Sequence, residues 1–109
     1  MTSHLVADAA QAASRARGAE HLRTFRHAVT EFVRVLASVP DESAGAISAE
    51  GLRTLQVLGE DMIDCIEERV TDIGGTPDAQ ELVSDVYEIR RLLEQANRWR
   101  QHYAIARSV

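Results

Sequence analysis

The stretch "LRTLQVLGEDMIDCIEERVTDIGGTPDAQELVSDVYEI", Leu52 to Ile89, sets the fold class because it holds two helical stripes and the turn between them. Leu52, Leu55, Gly59, Met62, Ile66, Val70 and Ile73 recur at spacings of three and four, which places them on one face of a helix. Beyond the turn, Ala79, Leu82, Val86, Ile89, Leu93 and Ala96 repeat the pattern. Between them, Gly74 and Gly75 offer the left-handed residue that ends a helix. Thr76 then caps the next helix and Pro77 opens it, with Asp78 near the positive end of its dipole. The reading predicts helices over 49–73 and 77–106.

Upstream, Leu22, Phe25, Val29, Phe32, Leu36 and Val39 form a third stripe, which Pro40 stops. It predicts a helix over 19–39. Ser48 is a suitable N-cap for the next helix, and Ile47 is placed to staple onto Leu52. No alternating β-branched run bounded by turns occurs, so no strand is expected. The fold class is therefore all-α: an antiparallel three-helix bundle of long helices over 19–109, with an additional N-terminal helical segment over 1–18, three to four helices in all.

That first segment is alanine-rich, with Leu5, Ala9, Ala12, Ala16 and Ala19 on one face. Its stripe runs out of register with Leu22 and Phe25, and Gly18 stands at the junction, so a break is expected there. A straight continuation of the 19–39 helix would carry Leu5, Val6, Ala9 and Ala12 some ~20 Å past the bundle, by helical rise, with nothing in the same chain to pack on. Two outcomes follow. The segment folds back as a fourth helix, or a second copy covers those four residues in a homodimer, which is the outcome expected here.

Composition narrows the class of function. The chain has 109 residues, 45% of them hydrophobic, which suits one domain with one modest core. All twelve basic residues are arginine, the codon bias of a GC-rich, bacterial genome. A single cysteine, Cys65, rules out an intrachain disulfide and fits a reducing compartment. With no basic, apolar leader and no apolar run of ~20 residues, the expected location is cytoplasmic. The net charge of −5 is unevenly distributed. Residues 1–40 carry +2, residues 41–87 carry −10, and residues 88–109 carry +3. No continuous basic stripe with interleaved aromatics appears, so no nucleic-acid partner is expected, and no membrane partner either.

The acids raise a question of chemistry. On a helical wheel Asp61, Asp64, Glu68 and Asp72 fall opposite the apolar stripe, with Glu60 and Glu67 on its flank, the layout of a solvated face. Carboxylates paired across adjacent helices are also how Mg²⁺ is held beside phosphates. Here Glu67–Glu68, Asp72, Glu81 and Asp85 resemble the MazG-like all-α nucleotide pyrophosphohydrolases, whose pattern is Glu-Glu-x-x-Glu followed by Glu-x-x-Asp on the next helix. The match departs at two places: Thr71 stands where the third acid belongs, and Glu81 and Asp85 are one residue too far apart. The resemblance implies a Mg²⁺-dependent phosphohydrolase, and it is the alternative to a non-catalytic reading. Asp85, at the edge of its helix, is expected to be paired with Arg53, Arg69 or an arginine of the 19–39 helix.

A second alternative is a histidine phosphotransfer bundle using His27, which projects away from Leu22 and Val29. Ala28 stands where histidine-kinase boxes place an acid, and the Lys-Gly of phosphotransfer domains is missing. His21 is read as a boundary residue. The four histidines show no helical i, i+3 or i, i+4 pairing, and no glycine-rich phosphate loop occurs, so neither metal nor cofactor is expected. At the C-terminus, Arg98, Trp99, Arg100, His102 and Tyr103 combine arginine with aromatics, the composition of interface hot spots. Together these features favour a small helical protein–protein interaction module, of the adaptor, chaperone, immunity-type or regulatory kind, with a protein partner and no catalysis of its own.

Overall fold

The computed structural model describes the backbone of residues 3–38 and 49–108 and the side chains of 5–38 and 49–98. Four helices account for it: α1 (Ser3–Gly18), α2 (Leu22–Ala37), α3 (Ala49–Ile73) and α4 (Pro77–Ser108). No strand occurs among the described residues. The α3 bounds coincide with those expected, and α4 begins at Pro77 as expected and runs two residues further. The cap chemistry is as expected at the α3–α4 turn. Gly74 has φ +69 and its N–H donates to the Val70 carbonyl at 3.0 Å, while the Ala79 N–H donates to Thr76 Oγ1 at 3.2 Å. Pro40, Ile47 and Ser48 lie outside the described residues.

The largest difference from expectation is at the N-terminus. α1 ends at Gly18 and the chain reverses within Ala19, Glu20 and His21, so α2 starts at Leu22 rather than at residue 19. His21 caps α2 in extended conformation (φ −92, ψ 139), and its carbonyl accepts from the Phe25 N–H at 3.0 Å. α1 thereby packs on both α2 and α3. Leu5, Ala9 and Ala12 are buried within their own chain, as are Ala13, Ala16 and Ala19, and Val6 is half-buried at their edge. A three-residue reversal thus gives Leu5, Ala9 and Ala12 within their own chain the cover that a straight extension could not, and these residues need no second copy for it.

Adjacency follows from the packing. α1 neighbours α2 and α3, and α4 neighbours α2 and α3, so α2 and α3 face each other only across the diagonal. The two described interhelical turns, α1–α2 and α3–α4, lie at one end. Arg69, near the end of α3, donates to the backbone carbonyls of Ala19 and Glu20, and Arg26, near the start of α2, pairs with Asp78 and Glu81 at the start of α4. α1 and α3 thus run the same way, as do α2 and α4. The molecule is two antiparallel hairpins laid side by side.

One core joins them. Phe25, Val29, Phe32 and Leu36 of α2 meet Leu55, Met62 and Ile66 of α3 and Leu82 and Ile89 of α4, all of them fully or almost fully buried. Alanines on α1 let its backbone come close to these larger side chains. A comparable device brings α3 onto α4: a Cβ built on Gly59 would stand 2.5 Å from Leu93 Cδ1, so only glycine fits without movement of that leucine. Among the described residues no helix is long and apolar enough to cross a membrane.

Candidate binding surface

The carboxylates of the pyrophosphohydrolase-like pattern do not converge. Glu67, Glu68 and Asp72 are exposed on α3. Glu81 is engaged by Arg26, which also donates to Asp78 at 2.6 Å. No group of three His, Cys, Asp or Glu side chains positioned to hold a metal ion occurs among the described residues. What Arg26 builds is a strut between the hairpins, one guanidinium bridging two carboxylates of the neighbouring helix.

Asp85 lies one turn beyond that strut and is half-buried, as its edge position predicted. Burial pushes its carboxyl above the ordinary range, the nearby Arg26 charge opposes that, and Glu88 adds to it. Arg26 of α2 is thus the opposing charge, but the expected ion pair is not formed: among the described residues no arginine stands within ion-pair distance of Asp85, and Arg26 is engaged with Asp78 and Glu81. Arg69 is committed elsewhere: besides closing the α1–α2 turn, it lies over the Phe25 ring at 4.7 Å from the centroid.

His27 is exposed, as expected, on the wall of an open concavity shared with Arg23, Thr30 and Asp78. His21, read as a boundary residue, is exposed too. Cys65 is half-buried. Of the C-terminal patch, Arg98 is exposed and paired with Glu94 one turn back, at 2.8 Å. Trp99, Arg100, His102 and Tyr103 have side chains outside the described residues.

A surface that the periodicity does not single out lies on the outside of the α3–α4 hairpin. Val57, Val83 and Tyr87 are the large hydrophobic side chains left exposed among the described residues, at 55%, 40% and 67%. All three belong to this hairpin. Val83 and Tyr87 line a groove of about 290 Å³ whose floor and walls are Ile66, Val70 and Val86, with Glu67 and Arg90 at its rim. The volume sits at the bottom of the ~300–1,000 Å³ typical of small-molecule sites and suits one or two inserted side chains. A sequence signal for it existed: Val83 and Tyr87 are one helical turn apart and both lie off the Ala79–Leu82–Val86–Ile89 stripe.

Around the groove the charge is one-sided. Glu60, Asp64, Glu67, Glu68 and Asp72 are all exposed on α3, and none of them is in an ion pair among the described residues. Asp61, which stands between Glu68 and Asp72 on the helical wheel, pairs with Arg17 of α1, so Glu68 and Asp72 lie on that side of the helix, while Glu60, Asp64 and Glu67 lie on the groove side. The outer face therefore combines an apolar slot with unneutralised negative charge. Compared with known proteins, the chain matches no family model, no curated protein and no solved structure, so this surface is interpreted from its own residues alone.

Proposed function

We propose that the chain is a helical protein-binding module that presents the outer face of the α3–α4 hairpin to a partner and works by surface complementarity rather than catalysis. One observation carries this reading: the exposed large hydrophobics of the described residues are all on that hairpin, two of them at the mouth of one apolar groove. Single exposed apolar residues are ordinary on any protein surface. A cluster continuous with an apolar slot and rimmed by charge is the form that binding patches take. The C-terminal patch of Arg98 to Tyr103 is on the same helix, α4, and would extend the contact along it.

Site-specific photo-cross-linking in the native cell tests the proposal. A benzoylphenylalanine replacing Tyr87 is expected to trap a protein partner, and one replacing Arg98 to trap the same partner if the contact extends. The probe at the exposed Asp8 of α1 serves as the comparison. No adduct at position 87, or an equal spread of adducts from positions 87 and 8, overturns the reading.

A further inference from the structure

We infer that the α3–α4 groove takes a cationic amphipathic helix from its partner, seated by two or so aliphatic side chains and held by basic residues along its flanks. The inference rests on the binding-module reading and adds the chemistry of the partner.

Three observations lead to it. First, the groove is shaped for a helix. It runs between two antiparallel helices, and its α4 wall, Val83 to Arg90, extends about 10 Å, or two helical turns. An incoming helix would present apolar residues at i, i+3 or i+4 and i+7 to such a slot. Second, the surrounding charge selects the sign of the partner. Elsewhere in the described chain, Glu31, Asp61, Asp78, Glu81, Glu88 and Glu94 each have an arginine within ion-pair distance, and the acids without one, Asp8, Glu20, Glu50, Glu68, Asp72 and Asp85, are scattered over three helices and the α1–α2 turn. On the groove side of α3, Glu60, Asp64 and Glu67 have none among the described residues, and Arg90 is the basic residue at the rim. A helix bearing lysine or arginine along its flanks neutralises them, whereas an acidic or nucleic-acid partner is repelled.

Third, the same charge argues against a second copy. In a twofold-symmetric dimer the face would meet itself, setting the carboxylates of Glu60, Asp64 and Glu67 against their own copies. Docking of this face on a basic segment of another copy would be head-to-tail, which leads to rings or open chains rather than a closed pair.

The test uses the full-length protein with two designed 14-residue probes of the same amphipathic pattern, one of leucine and lysine and one of leucine and glutamate. A third peptide has the leucine–lysine composition in a scrambled, non-amphipathic order. The leucine–lysine helix is expected to bind, with amide NMR shifts concentrated in residues 66–71 and 83–90 and affinity falling as salt is raised. The double variant Val83→Ser/Tyr87→Ser should weaken it by about tenfold or more, as truncating interface anchors does. Asp64→Lys/Glu67→Lys, which alters the rim and leaves the slot intact, should also weaken it. Because all four positions are exposed, both variants are expected to keep the circular dichroism and melting profile of the parent, and those are measured alongside.

Equal binding of the leucine–glutamate or scrambled peptide overturns the inference, as does binding unaffected by either double variant. Failure of the leucine–lysine peptide to bind, while the Tyr87 probe still traps a partner in the cell, removes the basic helix and leaves the module. No adduct at Tyr87 removes the module as well. Self-association seen by light scattering and lost in Val83→Ser/Tyr87→Ser assigns the face to a second copy and overturns the inference.

Discussion

The two hairpins of this molecule are made of the same secondary structure and use their apolar residues in opposite ways. In α1–α2, helices of 16 residues each pack small against large: the alanines of α1 sit beside the phenylalanines and aliphatics of α2, and no large hydrophobic among its described residues is left exposed. In α3–α4, helices of 25 and 32 residues touch closely at Gly59, and α4 carries a second apolar ridge, Val83 and Tyr87, on the side away from the core. The first hairpin completes a core. The second helps to complete that core and also offers a surface. The longer hairpin has apolar surface to spare, while the shorter one commits its apolar residues to the core.

Substitutions test that division, beginning with the most disruptive. Phe32 is 0% exposed, and Phe32→Ala is expected to destabilise the fold by about 3–5 kcal/mol in urea denaturation. A loss below about 1 kcal/mol would mean that the first hairpin is not the packed scaffold described here. Ala9 in α1 is equally buried, so Ala9→Leu should cost about 1–3 kcal/mol by forcing α1 away from its neighbours. A neutral result there would show α1 lying loosely on the bundle, and would reopen the question of what covers it.

Smaller effects test the seam between the hairpins. Arg26→Ala removes the strut to Asp78 and Glu81 and leaves a local excess of carboxylates, so a loss of about 1 kcal/mol is expected, shrinking in high salt because the groups are partly exposed. Asp85→Asn should do the reverse. Burial raises the Asp85 carboxyl in the folded chain, so the folded state holds that proton to higher pH than the unfolded state does, and ionisation at neutral pH disfavours folding. The variant is expected to melt slightly higher than the parent at pH 7. The difference should vanish as the pH falls below the ordinary aspartate range, where Asp85 is protonated in both states. A variant that melts lower at pH 7 would mean that the attraction to Arg26 outweighs burial. The smallest effect belongs to the exposed ridge of α4: Tyr87→Ser should change stability by no more than about 0.5 kcal/mol, and a larger loss would assign Tyr87 to the core instead.

Much of this was legible in the chain itself. The stripe from Leu52 to Ile73, the Gly74 reversal and the Thr76–Pro77 start fix α3 and the beginning of α4, because periodicity and capping are local properties of ten or twenty neighbouring residues. The solvated character of Asp64, Glu68 and Asp72 follows from the same wheel, whereas Asp61, expected in that set, is half-buried and paired with Arg17 because α1 packs on that side of α3. Asp85 was identifiable as an edge carboxylate, although which of several arginines would stand near it was not. The C-terminal patch rests on composition, and of its members Arg98 alone has a described side chain.

Tertiary structure decided what depends on residues far apart in sequence. Sequence periodicity marks the alanine face of α1 as apolar, but whether its cover comes from the same chain depends on a reversal at Ala19–His21 that has no glycine in left-handed conformation and no side-chain cap to announce it. The choice of Arg26 as strut depends on the side-by-side register of α2 and α4, separated by more than fifty residues of chain. The groove is tertiary in the same sense. Val83 and Tyr87 line a groove only because α3 lies alongside with Ile66 and Val70, and a helical wheel, which describes one helix at a time, contains no neighbour to form the other wall.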